Sequence, residues 1–324
     1  MDVKVSVIIP VYNVEKYIGR CVHSLFSQTL NEMEFIFVDD CTPDNSIEII
    51  KSILKEYPNR KHQVKFVTHN VNKGLAKSRQ DGLEQAVGKY IIHCDSDDWL
   101  ECNMYEALCD KAVETHADIV ICNYFEESDA GAVVMSQHLF EDKDDLFAAI
   151  LEGKLHAAVW NKLVKREFLF SCPYKIPTEI FMWEDMAVMV PLLMATNRIV
   201  KLDKPLYHYA IKREGSITAL YDAGKTASML KCVDYIEQYM KDAGIYKDFT
   251  GKLYSLRLRA SAGLISQTEC WSPNLWREKN NDASIKDIFN SNMWWSHQIY
   301  AVLAKLRLDV VIKTILKFRA IFPK

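Results

Sequence analysis

The chain has 324 residues, 49% hydrophobic and 26% charged, with a formal net charge of −3. It can bury a full core, its length alone suggests about two units, and its balanced charge gives no global electrostatic reason to expect nucleic acid as a partner. Eleven glycines and nine prolines are too few for a disordered or fibrous chain, and nine cysteines without a Cys-x-x-Cys pair read as reduced thiols in a cytosolic setting, against structural zinc.

The chain opens on a short apolar stretch ending at Pro10, too brief for the core of a secretion signal. No run approaches the roughly 20 apolar residues of a spanning helix, so a cytoplasmic location is expected. Strand-length apolar runs occur at 5–9, 35–38, 64–67, 90–94 and 119–122. Between them lie helical patterns: over 14–26, Val14, Tyr17, Ile18, Cys21, Val22, Leu25 and Phe26 recur at three-and-four spacing, and 46–57 and 74–87 repeat the habit. Strands alternating with helices predict right-handed crossovers and a mainly parallel sheet covered on both faces. After about Asn123 the alternation weakens into a mixed region with Trp160, Trp183 and the turn Arg213-Glu214-Gly215-Ser216, and from about Ala219 the pattern is chiefly helical. The expected division is an α/β domain over 1–218, with a first half to about 100 and a second from about 101, then a helical region over 219–324.

Ligands of such sheets gather at the carboxyl ends of the strands. Those ends carry Pro10-Val11-Tyr12-Asn13, Asp39-Asp40, Thr68-His69-Asn70 and Asp95-Ser96-Asp97-Asp98. Neither Gly-x-Gly-x-x-Gly nor a phosphate loop follows any strand, which removes the main support for dinucleotide and ordinary ATPase readings. In extended chain, Asp95 and Asp97 point to one side and can share a hard cation whose remaining positions are filled by phosphate and water. The alternative is a helix cap near Cys102 with solvated turn residues around it. Asp44 and Ser46 after Asp39-Asp40 read first as caps of the following helix.

Four ordered segments, Val5–Asn13, Phe37–Asp44, Asn72–Arg79 and Asp95–Trp99, together resemble family 2 glycosyltransferases. The resemblance implies a GT-A fold, an inverting mechanism and a nucleotide-activated sugar as donor. It assigns Pro10, Tyr12 and Asn13 to the nucleoside pocket, Asp39 to the base with Asp40 as its neighbour, and Asn72, Lys73, Arg79 and Ser96 to the nucleotide-sugar side. It makes Asp95 and Asp97 the Asp-x-Asp that binds Mn²⁺ or Mg²⁺ against the donor diphosphate. Bottom-up, a carboxylate suits a uracil N–H or a ribose hydroxyl because it accepts, and cations at Lys73 and Arg79 would offset diphosphate charge. A solvated loop lysine is the equal alternative for Lys73.

The second half is similar to a narrower group, the transferases of bacterial surface and capsular polysaccharide assembly, through Val159–Leu163, Trp183-Glu184-Asp185 and Arg213–Ile217. In that group the acidic pair opens a helix below the acceptor, which implies Asp185 as the base, with Glu184 as the rival. Direct inversion needs a carboxylate placed to take the acceptor hydroxyl proton. Arg213 and Ser216 sit on a glycine-bearing loop able to close over the diphosphate. His208 is expected in packing or acceptor contact, and Trp160 and Trp183 read as core before sugar-stacking. The tail over 305–324 interleaves cations with apolar residues, fitting either a helix on the inner face of an anionic membrane or one docked on the protein.

The expectation is a metal-dependent inverting transferase moving a sugar from a nucleoside diphosphate, with UDP foremost, to a hydroxyl of a saccharide or lipid-linked acceptor. The alternatives are a non-catalytic carbohydrate-binding or scaffold protein of the same fold, and a sugar nucleotidyltransferase. The latter lacks a triphosphate loop after the first run.

Overall fold

The computed structural model describes residues 2–172, 177–211 and 222–321. Its strands are β1 (Val5–Val11), β2 (Met33–Asp39), β3 (Val64–Thr68), β4 (Tyr90–His93), β5 (Trp99–Leu100), β6 (Ile119–Ser128), β7 (Gly131–Met135), β8 (Lys162–Lys165) and β9 (Ile199–Ala210). The helices of the first part are α1 (Ile18–Phe26), α2 (Ser46–Leu54), α3 (Leu75–Glu84), α4 (Met104–Thr115), α5 (Lys143–Glu152), α6 (Arg166–Ser171) and α7 (Glu184–Ala195). Those of the later part are α8 (Ala223–Asp242), α9 (Thr250–Ser261), α10 (Gly263–Ser266), α11 (Pro273–Lys279), α12 (Ile285–Asn290), α13 (Trp295–Lys305) and α14 (Asp309–Ile321). The chain divides into two compact units. One takes Met1–Leu139, Ala157–Thr178 and Pro191–Arg213, and the other takes Phe140–His156, Glu179–Val190 and Glu214–Lys324.

The first unit holds the sheet, in the order β3-β2-β1-β4-β8-β6-β9-β5 with β7 beside β6. The pairs among β3, β2, β1 and β4 are parallel, as the strand and helix alternation predicts. Beyond β4 the sheet is mixed: β8 runs antiparallel to both β4 and β6, β7 to β6 and β5 to β9, while β6 and β9 are parallel. The loss of alternation after Asn123 marks this change of direction. β1 and β2 are continuous β-branched and aromatic runs because helices cover both their faces. Every residue of β1 is buried, and α1 lays Ile18, Cys21, Val22, Leu25 and Phe26 onto that core.

Two polar features fix the register. The buried Glu34 carboxylate accepts from Ser6 Oγ at 2.5 Å and the Val87 amide at 2.7 Å, and pairs with Lys65 at 2.7 Å. Gly88 passes so close to β1 that a Cβ there would lie 2.6 Å from the Ser6 nitrogen. At the far side, β9 pairs Leu202 with Cys122, Pro205 with Asn123 and Tyr207 with Tyr124, so two register shifts fall between Leu202 and Tyr207. Pro205, which has no N–H to give, sits inside this irregularity.

In the second unit α8 and α9 bury Val233, Ile236, Leu253 and Leu256. Asp142 caps α5 by accepting from the Asp144 and Asp145 amides. Arg257 pairs with Asp282 and Glu237, and Arg277 with Asp309. Among the described residues no helix is long and apolar enough to cross a membrane.

Candidate active site

The ends of β1 and β2 are laced together by a carboxylate. Asp44 Oδ2 accepts from the Glu15 amide at 2.8 Å, and its Oδ1 accepts from Thr42 Oγ1 and Ser46 Oγ, both at 2.7 Å. Thr42 Oγ1 in turn receives the Asn13 amide at 2.8 Å. Asn13 has φ 53°, a left-handed conformation that asparagine tolerates, and it is exposed beside Tyr12, which is 47% exposed, while Pro10 is buried in the strand. Asp39 ends β2 half-buried; its Oδ1 accepts from the Thr42 amide at 2.9 Å, and its Oδ2 has no protein donor among the described residues.

Asp40, the next residue, points inward and is 3% exposed. Its Oδ1 accepts from the Lys73 amide at 2.7 Å and faces His69 Nδ1 at 2.7 Å; its Oδ2 accepts from the Gly74 amide at 2.8 Å. The other ring nitrogen of His69 faces Asp81 at 2.9 Å, and Asp81 also pairs with Lys77 at 2.5 Å and Lys73 at 3.6 Å. Asn72 Oδ1 accepts from the Gly74 amide at 3.0 Å, stabilising a turn in which Gly74 has φ 86°. Thus Asp40 and Asn72, through the Lys73 and Gly74 amides, hold the Asn72–Gly74 turn at the start of α3, while the Lys73 ammonium reaches Asp81. His69 and Asp81 complete a network that sequence reasoning missed, because its members are 12 and 29 residues from their partners.

Arg79, one turn into α3 and buried, reaches across to the end of β4 and donates to Asp95 Oδ1 at 2.8 Å. The Asp98 amide donates to the Asp95 carbonyl at 3.2 Å, closing the 95–98 turn around buried Ser96. Asp95 is a quarter exposed, Asp97 is 9% exposed and Asp98 only 1%. Asp98 is held from β9: Tyr207 donates its hydroxyl to Oδ2 at 2.8 Å, and the Ala210 amide donates to Oδ1 at 2.8 Å. The same Tyr207 oxygen accepts from the Asp95 amide at 3.1 Å. Burial, then the neighbouring charges of Asp97 and Asp95, raise the Asp98 carboxyl well above the usual aspartate range.

This arrangement bears on cation binding. Among the described residues no group of three or more His, Cys, Asp and Glu side chains forms a ready metal cluster. A magnesium-type site needs no such cage, since one or two carboxylates plus substrate phosphates and water suffice. Asp95 and Asp97 are carboxylates of the type that donor set uses. Both oxygens of Asp98 are committed to β9, so it braces the turn.

Beside the turn stands an aromatic wall. His208 is stacked between Trp99 at 4.9 Å and Phe125 at 4.5 Å, and its nitrogens face Glu127 and Glu101 at 2.8 and 3.1 Å. Arg20 lies over the outer face of Trp99. Trp160 is core: it stacks on Tyr207 at 4.2 Å and Tyr209 at 5.5 Å, with Tyr124 edge-on.

Glu184 and Asp185 form the first turn of α7, each partly exposed. They follow Trp183, whose φ of 65° is strained for a bulky residue. Arg259 sits over the Trp183 ring at 5.6 Å, and the Trp183 carbonyl accepts from Cys232 Sγ at 3.3 Å. Both acids belong to the second unit, whereas Asp95 and Asp97 belong to the first. Arg213 and Ser216 lie outside the described residues.

The family model of Glycosyl transferase family 2 matches residues 6–185. EpsH of Bacillus subtilis, assigned as a glycosyltransferase, is 32% identical over 254 residues, covering 74% of this chain and 72% of EpsH. Glycosyltransferase GlyA of Streptococcus pneumoniae is 30% identical over 68% of this chain, which spans only 32% of GlyA. TarS residues 1–349 of S. aureus in complex with UDP-GlcNAc superposes with a TM-score of 0.70 at 21% identity, over 96% of this chain and 90% of that chain. The mannosyltransferase PcManGT from Pyrobaculum calidifontis, in complex with GDP-Man and Mn²⁺, gives a TM-score of 0.55 at 17% identity, over 99% and 85%. At such identities the structural likeness establishes the fold, which is GT-A. The motifs at the strand ends, the matched region and the shared fold agree, and the chain belongs to glycosyl transferase family 2.

Proposed function

We propose that the protein is an inverting glycosyltransferase that takes a sugar from a UDP-sugar to a hydroxyl of a saccharide or lipid-linked acceptor during cell-surface polysaccharide synthesis. The observation that carries this reading is the end of β4, where a buried arginine, the partly exposed Asp95, the buried Asp97 and a third carboxylate held from behind converge on one turn. The UDP-GlcNAc complex of TarS supports the choice of donor.

In this reading Tyr12 and Asn13 border the nucleoside over buried Pro10, and Asp39 offers its uncommitted Oδ2 to a base N–H or a ribose hydroxyl. Asp40 and Asn72 serve the nucleotide-sugar side by holding the Asn72–Gly74 turn, so that α3 aims Arg79 at Asp95. Asp95 and Asp97 would hold Mn²⁺ or Mg²⁺, and the Mn²⁺ complex of PcManGT supports a divalent ion. Bound there, such an ion neutralises charge that accumulates on the leaving diphosphate. Ser96, buried between Asp95 and Asp97, belongs to the nucleotide-sugar side. Asp185, with Glu184 as the rival, takes the proton of the acceptor hydroxyl as it attacks. The protein works on the cytoplasmic side, with the 305–324 tail resting on the membrane that carries the acceptor.

The test is UDP release from UDP-sugars by purified protein with and without Mn²⁺, beside a thermal-shift screen of nucleotide sugars. Metal-dependent release from one donor supports the reading. Donor-independent melting and no UDP release would instead mark a carbohydrate-binding or scaffold protein.

A further inference from the structure

We infer that the outward face of α12, α13 and α14 is a docking surface for an anionic lipid bilayer, with Trp294 and Trp295 as its anchors. All of these residues belong to the second unit. Trp294 and Trp295 are 77% and 68% exposed, at the start of α13. Tandem tryptophans left in water are unusual, and the indole suits the boundary between headgroups and acyl chains.

The pattern along α13 extends the anchor. Trp295, Ile299, Val302 and Leu306 recur at three- and four-residue steps, so they share one side of the helix, while Tyr300, Ala301 and Ala304 are buried on the other. One apolar side is thus spent on the core and the second faces outward. In α14, Val310, Val311 and Phe318 are exposed at helical spacing with Lys313 and Lys317 beside them, and Ile312 is buried opposite.

Charge selects the occupant. Between 285 and 318 the cations are Lys286, Lys305, Arg307, Lys313 and Lys317, against the carboxylates Asp287 and Asp309. Asp309 is paired with Arg277, while Asp287, in a capping box with the neutral Ser284, keeps its charge. On the other side the Lys305 ammonium is held by the Ala283 carbonyl and Lys313 lies over the Trp271 ring. The stretch still carries more positive than negative charge, which complements anionic headgroups. A second copy of the same face would set these cations against one another. The proposal deepens the membrane contact of the tail and rests on the reading of a lipid-linked acceptor, but its test needs no turnover.

The full chain is mixed with vesicles of phosphatidylcholine alone or with about a third phosphatidylglycerol, and followed by sedimentation and tryptophan emission. Binding to the anionic vesicles with a blue-shifted emission is expected, weakened by salt. The double variant Trp294→Ser/Trp295→Ser should lose binding at least about tenfold while its melting curve and its UDP release in solution stay unchanged. Lys313→Glu/Lys317→Glu should weaken binding to the anionic vesicles. Equal binding by wild type and the tryptophan variant, or no binding by wild type, overturns the proposal. So does light scattering that shows a wild-type dimer abolished by the tryptophan variant, since a second copy would then cover this face. Vesicle binding without UDP release from any donor would support the docking surface and overturn only the catalytic reading.

Discussion

The ends of β2 and β4 both present adjacent aspartates after a buried strand, yet the fold uses them in opposite ways. At the β2 end the chain supplies Asp40 with two backbone amides and a histidine, so its charge is consumed internally. At the β4 end Asp98 is treated this way, by Tyr207 and the Ala210 amide. Asp95 receives one arginine and stays a quarter exposed. The number of protein donors aimed at a carboxylate, more than the sequence around it, separates a brace from a candidate ligand.

Substitutions at the two ends should therefore fail differently. Asp97→Asn should cut donor turnover by about three orders of magnitude, the scale of several kcal/mol of lost charge stabilisation, with the melting temperature nearly unmoved; a UDP-release assay beside a thermal melt checks this. Asp40→Ala should do the reverse, costing about 3–5 kcal/mol in urea unfolding because His69 and two amides lose a buried partner, with activity falling only as the fold does. An Asp40 variant that is stable yet inactive would break the comparison. Tyr207→Phe removes the hydroxyl that serves both Asp98 and the Asp95 amide, and should cost about 1–3 kcal/mol with a smaller loss of turnover than Asp97→Asn.

A contrast absent at neutral pH, and so the smallest there, runs through histidine. His69 lies between two carboxylates, whereas the Nδ1 of His93 at the β4 end is covered and has no hydrogen-bond partner among the described residues. Loss of water around the ring, with the Arg79 charge second, lowers the His93 pKa to about 3. A lowered folded-state pKa means that the unfolded chain binds the proton first as pH falls. The neutral ring thus supports stability above about 6.5, and that support drains toward about pH 3 by at most about 1.4 kcal/mol per pH unit. His93→Gln should flatten that part of a plot of melting temperature against pH.

The parallel half of the sheet was legible because β1, β2 and β4 are unbroken apolar runs ending in polar residues, with α1 between them carrying its periodicity in plain view. The acidic turn at Asp95–Asp98 could likewise be read from order and spacing, whereas the reach of Arg79 to Asp95, 16 residues away, could not. The division of labour between Asp39 and Asp40 could not, since adjacent aspartates look alike until the backbone turns one inward. Nor could the support from Tyr207, which is 109 residues from Asp98 in sequence. The mixed half escaped because β8 is a four-residue strand and β5 has two residues, too short for period-two alternation to register.

The irregular stretch of β9 has a consequence for what this chain can tolerate. Four residues, 203–206, stand where β6 has Asn123 alone, and that odd surplus decides which side of the ribbon the later side chains take. Removing one of the four would turn Tyr207 over, bringing Leu206 or His208 to its place and cutting the tether to Asp98. Point changes among those residues leave the parity intact. At this spot the chain is proofread by length, and a single-codon deletion is the more damaging lesion.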